Sequence, residues 1–358
     1  MKRELILAIN PGSTSTKIAV FSGNKEVFLK NIKHSPEDLE GFDKITDQYE
    51  YRKEIILSEL RAAEINIDLI AIVVGRGGLV KPIPSGVYVV NEAMIADLKV
   101  GVQGQHASNL GGLIAYDIAR SLSSARAFIA DPVVVDELDP IARISGHPLF
   151  ERVSIFHALN QKAIARQHAK SNSLAYEDLN LIVVHLGGGI SVGAHHKGRV
   201  IDVNQALDGE GPFSPERSGT LPVGALVDLC FSGKYTQSDI RKMITGKGGY
   251  VAYLGTNDAY RVECQAKDGD PSSTLIQEAL CYQVAKEIGA MSAVLKGEVD
   301  AILLTGGMAY GKPAVDAISE RIKHIAPIFV YPGEDEMRAL AMNGLRVFEG
   351  EVEPRVYE

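Results

Sequence analysis

Three short runs of small residues each follow an apolar run and could hold an anion. The first is Asn10-Pro11-Gly12-Ser13-Thr14-Ser15-Thr16-Lys17, set between Leu5–Ile9 and Ile18–Phe21. The second is Gly187-Gly188-Gly189, which follows Leu181–Leu186, and the third is Gly306-Gly307, which follows Ala301–Thr305. Such residues let backbone N–H groups and hydroxyls come close to a phosphate, and Lys17 adds positive charge to the first loop. Each run also has a plainer reading. The first two would serve as hairpin turns, and the third as a tight strand-to-helix turn. Read together, two phosphate loops make the third, where a flat ring or ribose could approach the backbone, an adenosine site.

Other nucleotide motifs do not fit. The chain has no G-x-x-x-x-G-K-[ST], which disfavours a P-loop enzyme. Gly187, Gly188, Gly189 and Gly193 do not make G-x-G-x-x-G and lead into a strand, which disfavours a dinucleotide fold.

The elements that must position these loops are legible from pattern. Laying Leu5–Val27 on Leu181–Val203 places Gly12 on Gly188 and Ser15 on Ser191. Both copies read strand, glycine turn, strand, polar turn, strand, with Gly23-Asn24 and Lys197-Gly198 as the polar turns. One copy opens each half of the chain, which points to a duplicated domain. Strands and helices alternate after each opening. Ser272–Gly297 has apolar residues at Ile276, Leu280, Val284, Ile288 and Met291 and ends on glycine, which predicts a helix. The charged stretch Lys44–Arg61 reads as a solvated helix face. The expected fold is α/β, two duplicated units flanking a nucleotide cleft.

Composition narrows the class. A chain of 358 residues with 46% hydrophobic content is enough for about two packed domains. No apolar stretch reaches the ~18 residues a membrane helix needs, and Met1-Lys2-Arg3 opens no secretory signal, since no cleavage pattern follows. Net charge −8 argues against nucleic acid or an anionic membrane as partner. Cys230, Cys264 and Cys281 lack metal spacing and read as idle thiols of a cytoplasmic protein.

Asn10–Lys17 fits N-x-G-S-[ST]-[ST]-x-K at every fixed position, and His185-Leu186-Gly187-Gly188-Gly189-Ile190-Ser191, with Gly198 beyond, fits a second signature. These two segments resemble those of the acetate and butyrate kinase family, within the actin, sugar-kinase and Hsp70-like superfamily, and the resemblance covers essentially the whole chain. Asp208–Pro222 and Tyr331–Ala341 are similar to the butyrate-acting branch. The resemblance implies two RNase H-like, actin-like ATPase domains. Residues 1–150 would form an acyl-substrate and phosphate domain, 151–336 a nucleotide-binding and dimerisation domain, and 337–358 a segment returning to the first. It implies ATP and Mg²⁺ as cofactors, a short-chain carboxylate as substrate, an acyl phosphate as product, and a homodimer or larger homo-oligomer. Acetate, propionate or a branched acid are the alternative substrates, and an ATPase switch is the alternative class.

A carboxylate is already ionised at neutral pH, so such a transfer needs no general base. It needs cations around an in-line displacement between two anions. Carried over by the resemblance, Asn10, Gly12, Ser13, Ser15 and Lys17 hold phosphate from one side, and His185, Gly187, Gly188 and Gly189 from the other. Gly306 and Gly307 take the adenosine. Arg217 would clamp the moving phosphoryl group and the acid. Arg76 stands where the family has a histidine, with Val73 on the family's arginine, and is read as reaching the same phosphate from a displaced position. Asp131 would place Mg²⁺ or orient Arg217, or simply start an Asp-Pro turn. Glu336 would be the second metal carboxylate, with Glu334 and Asp335 as rivals. Ser154 is read as an N-cap that puts His157 in a first helical turn beside the phosphoryl oxygens. His106 is a phosphate or structural ligand. Gly75, in place of the family's pocket valine, would leave room for a longer acid, with Phe156 as another wall; the alternative is a turn glycine.

Overall fold

The computed structural model describes residues 4–122 and 124–358; the charged start Met1–Arg3 lies outside them. The chain divides into two compact units, residues 1–135 with 335–358, and residues 136–334.

The first unit opens with β1 (Leu5–Pro11), β2 (Ser15–Ser22) and β3 (Lys25–Lys33), an antiparallel meander whose tight turns fall at the two predicted loops. A short α1 (Pro36–Leu39), capped by Ser35, and α2 (Tyr49–Ala62) lead to β4 (Ile70–Arg76). Then come β5 (Val87–Val89), α3 (Glu92–Val100), α4 (Asn109–Ser121) and β6 (Arg126–Ala130). β1, β4 and β6 run parallel, as expected of buried strands with crossover helices.

The second unit repeats the opening. After α5 (Ala158–Ser171) come β7 (Asn180–Leu186), β8 (Ile190–His196) and β9 (Arg199–Val203), again antiparallel. Five helices follow: α6 (Val223–Phe231), α7 (Gln237–Ile244), α8 (Gly249–Leu254), α9 (Ala259–Lys267) and the long α10 (Pro271–Val294). The unit continues with β10 (Ala301–Gly306), α11 (Lys312–Ile322) and β11 (Ile328–Pro332), giving sheet order β11-β10-β7-β8-β9. Leu280, Val284, Ile288 and Met291 of α10 pack on Ile182, Val184, Ile302 and Leu304, while Ala165 and Ala169 of α5 pack on Leu181, Val183 and Leu303. Alternate residues of each strand thus serve opposite faces.

Finally α12 (Glu336–Phe348) and β12 (Arg355–Val356) belong to the first unit, whose sheet order is β12-β5-β6-β4-β1-β2-β3. Ile6, Ile72 and Val74 face Gly344 of α12, while Leu7, Ile9, Val73 and Ile129 join a core with α2, α3 and α4.

Against the divisions expected near residues 150 and 336, the chain changes unit at Val135/Asp136 and at Glu334/Asp335. The reason is tethering. Glu137 pairs with Lys162, and Arg152 with Asp202 and Glu210, so the segment before α5 is fixed to the second unit.

Candidate active site

Within the first unit, β1 and β4 end side by side and bring Asn10 and Arg76 to one spot, where α12 begins. Arg76 Nη1 lies 2.9 Å from Glu336 Oε1 and 3.3 Å from Asn10 Oδ1, and Asn10 Nδ2 donates to Glu336. The three rival carboxylates separate cleanly. Asp335 is the N-cap of α12, accepting from the Arg338 N–H. Glu334 lies in the second unit, 3.5 Å from His185 Nε2. Glu336 alone joins Asn10 and Arg76.

The loop after β1 is held from beneath by a residue that pattern reading passed over. Arg52 of α2 is fully buried and donates to the carbonyl oxygens of Gly12, Ser13 and Ser15 at 2.7–3.1 Å. The stretch Lys44–Arg61 is therefore not simply a solvated face. Arg52, Ile56 and Leu60 are spaced four apart on its buried stripe. That spacing was the available signal. Lys17 is exposed and sits opposite Asn10 across β1 and β2. His106 is exposed and accepts from Ser108 N–H at its Nδ1.

Asp131, at the end of β6, is buried and has φ +38°, a left-handed conformation that Asp tolerates better than most residues. Its Oδ1 accepts from Ser85 Oγ at 2.6 Å and from Gly86 N at 2.9 Å. The Asp-Pro turn reading accounts for its backbone.

Gly75 requires a correction. It does not face an acyl pocket. It points at α4, where an added Cβ would lie 2.1 Å from the Gly111 carbonyl oxygen. Its φ is not positive, so it is not a turn glycine either. The paired Gly111 would in turn strike the Arg76 backbone at 2.3 Å. Two glycines let helix and strand touch. Phe156 is corrected too: at 1% exposure it is already enclosed by protein and offers no open wall to an acid.

In the second unit, the glycines of the second loop make room for side chains. A Cβ on Gly187 would lie 2.9 Å from His185 Nε2, and one on Gly189 would lie 2.0 Å from Arg217 Nη1. Arg217 Nη1 donates to the Ala206 carbonyl at 2.5 Å, and burial lowers its pKa against the opposing effect of Glu216. Ser214 Oγ donates to the Gly188 carbonyl at 2.6 Å, a contact with no sequence signature.

His157 is itself the N-cap residue of α5, and Ser154 is not. The cap shift takes His157 out of the first turn. It stacks on His185 at 3.8 Å between ring centroids, with His185 Nδ1 3.0 Å from Asn160 Oδ1. Its orientation comes from a buried chain. The Ser191 carbonyl can only accept, so the Gln161 amide N–H groups face Ser191, at 3.1 Å to the carbonyl and 2.8 Å to Oγ. Gln161 Oε1 then accepts from His195 Nε2–H at 2.9 Å, leaving His195 Nδ1 to accept from Tyr176 OH at 2.7 Å. Burial, then Lys162 and Arg166, holds His195 well below the usual histidine range; it stays neutral. Ser191 Oγ meets His157 Nδ1 at 2.8 Å.

Gly306 has φ +92°, exchanges backbone hydrogen bonds with Gly333, and leaves 2.3 Å between a would-be Cβ and the Leu186 carbonyl. The tight-turn reading explains it. A Cβ on Gly307 would meet nothing within 4 Å.

A family model described as the Acetokinase family matches residues 151–344. A relative named butyrate kinase 1, from Clostridium acetobutylicum, is 58% identical over 353 residues, 99% of each chain. This chain belongs to the acetokinase family. Two crystal structures share its fold at 18% identity. Porphyromonas gingivalis acetate kinase has a TM-score of 0.79, covering 96% of this chain and 100% of its own. A propionate kinase from Francisella tularensis has 0.75, with 95% and 98% covered. The two α/β units, each opening on an antiparallel three-stranded meander, have the duplicated arrangement expected from the repeated hairpin, and the acetate and propionate kinase structures share this fold.

No three His, Cys, Asp or Glu side chains gather as a metal cage among the described residues. Mg²⁺ is commonly held by one or two carboxylates, waters and substrate phosphates. Asp131 and Glu336 are hard oxygen donors of the type Mg²⁺ takes, and both already have protein partners: Ser85 and Gly86 for Asp131, Asn10 and Arg76 for Glu336.

Proposed function

We propose that the chain transfers the γ-phosphoryl group of ATP to a short-chain fatty acid, butyrate foremost, giving an acyl phosphate and ADP. The observation that carries this reading is the full-length 58% likeness to butyrate kinase 1. Preassembled groups support it: Asn10–Arg76–Glu336 in one unit, and in the other the His157–His185 stack and Arg217, which flank Gly187 and Gly189 of the second loop. Neither contains an activated nucleophile, and a carboxylate acceptor needs none.

Arg217 binds oxygens of the moving phosphoryl group and of the acid, and the Gly187–Gly189 backbone takes the ATP phosphates. His157 and His185 donate hydrogen bonds to phosphoryl oxygens. Asn10, Ser13, Ser15 and Lys17 hold the γ-phosphate end, with Arg76 poised by Glu336. Gly307 lies beside the nucleoside. Asp131 and Glu336 would hold Mg²⁺, which would supply neutralisation of phosphate charge. The reading includes a cytoplasmic location and a homo-oligomer formed through the second unit. Support for the latter is α6, an apolar helix none of whose residues is buried, with Val223 and Phe231 73% and 87% exposed.

The test is purified enzyme with ATP, Mg²⁺, hydroxylamine and acids from acetate to valerate, read as acyl hydroxamate. Two further buried CH₂ groups, at about 0.8 kcal/mol each, should favour butyrate over acetate by ~15-fold in kcat/KM. Sedimentation of the same sample should give a dimer or larger. Absence of hydroxamate with every acid would overturn the reading.

Asp131→Asn keeps an oxygen for Ser85 and Gly86 but removes the charge. It should lower kcat and raise the Mg²⁺ concentration for half-maximal rate several-fold. An unchanged Mg²⁺ titration would leave Asp131 as a turn residue only.

A further inference from the structure

A hairpin turn does not need a cation underneath it, yet the turn after β1 has one. Arg52 is 0% exposed, and a buried charge is costly unless its N–H groups are taken up. Here they are taken up by neutral oxygens: Gly12 O at 2.7 Å, Ser13 O at 2.9 Å, Ser15 O and Thr16 Oγ1 at 3.1 Å, and Gln48 Oε1 at 2.7 and 3.1 Å. No carboxylate pairs with Arg52 among the described residues. The remaining carbonyl of the turn, Thr14 O, accepts from His34 N at 2.9 Å. Every carbonyl from Gly12 to Ser15 is therefore turned into the protein.

The amides behave differently. Gly12 N–H donates to Ser15 O. Ser13 and Thr14 are exposed, and their N–H groups have no acceptor among the described residues. A turn with carbonyls drawn inward by a guanidinium and successive N–H groups outward is an anion-binding nest. Burial lowers the Arg52 pKa to about 10, so it is still charged at neutral pH.

We propose that Arg52 is a positioning residue for phosphoryl transfer, locking the Gly12–Thr16 turn so that its N–H groups and Lys17 meet the terminal phosphate of ATP. This rests on the kinase reading above. The guanidinium does not touch the substrate. It fixes the groups that do, and its uncompensated charge favours an anion on the far side of the turn.

Arg52→Lys and Arg52→Met are compared with wild type by circular dichroism, by hydroxamate formation from ATP and butyrate, and by calorimetric ADP binding. ADP lacks the phosphate this turn would hold. Folded Arg52→Lys should lose at least ~10-fold in kcat and Arg52→Met at least ~100-fold, with the ADP dissociation constant within about twofold of wild type. A folded variant with wild-type kcat overturns the positioning role. So does a parallel loss of turnover and ADP affinity, or failure of both variants to fold, because Arg52 would then be scaffold. Wild-type enzyme that binds ADP but forms no hydroxamate overturns the kinase reading itself, and the role of Arg52 with it.

Discussion

Arg217→Ala is expected to lower kcat by at least ~100-fold while the protein stays folded. The guanidinium is preorganised. Its backbone carbonyl accepts from Ser214 N, residue 217 bridges to Thr245, and its Nη1 is held by the Ala206 carbonyl. The glycine at 189 leaves the space it fills, since any Cβ there would lie 2.0 Å from Nη1. A partly desolvated cation acts more strongly on developing anionic charge than one in bulk water, and costs no reorganisation during the reaction. Steady-state kinetics with both substrates varied will check this. A rise in KM for the acid with kcat intact would reduce Arg217 to a docking group. Arg217→Lys should fall between, because an ammonium keeps the charge but loses the two-pronged geometry.

Gly75→Ala is expected to destabilise the enzyme by about 3 kcal/mol or more, a fall of roughly 10 °C in Tm. The added methyl would sit 2.1 Å from the Gly111 carbonyl oxygen, an atom of the α4 backbone. A flexible side chain could turn aside, but a helix must move bodily away from β4. Gly111→Ala should act alike through the Arg76 backbone, 2.3 Å away. Thermal unfolding of both variants, with the acetate-to-butyrate ratio measured on the folded fraction, tests the packing account. It requires a large fall in Tm and an unchanged ratio. A normal Tm with a shift toward acetate would restore the pocket reading.

How much was legible depended on whether the information was local. Strand periodicity, the repeated hairpin and the glycine-ended α10 are carried by neighbours in sequence, so the duplicated fold and its loops followed from pattern. The first and second loops could be placed because hairpin turns favour small residues between strand-like runs. What those small residues do was not local. Gly187 and Gly189 admit His185 and Arg217, and Gly75 admits a helix; a glycine in a sequence shows only that a side chain is missing, not what fills the space. The α5 N-cap is His157, with no side-chain cap bond, and not Ser154, a position that local capping preference does not single out.

Composition and motif spacing by themselves pointed to an α/β class, the repeat and candidate phosphate loops, and the resemblance carried by Asn10–Lys17 and His185–Ser191 implied the chemistry. Only the tertiary structure decided the partners of its charged groups. Glu336 rather than Glu334 or Asp335 meets Arg76, and Arg52 reaches the loop from 40 residues on. Hydrogen bonds to a buried charge act over about 3 Å in space, and the chain fixes such distances only after strands and helices have packed.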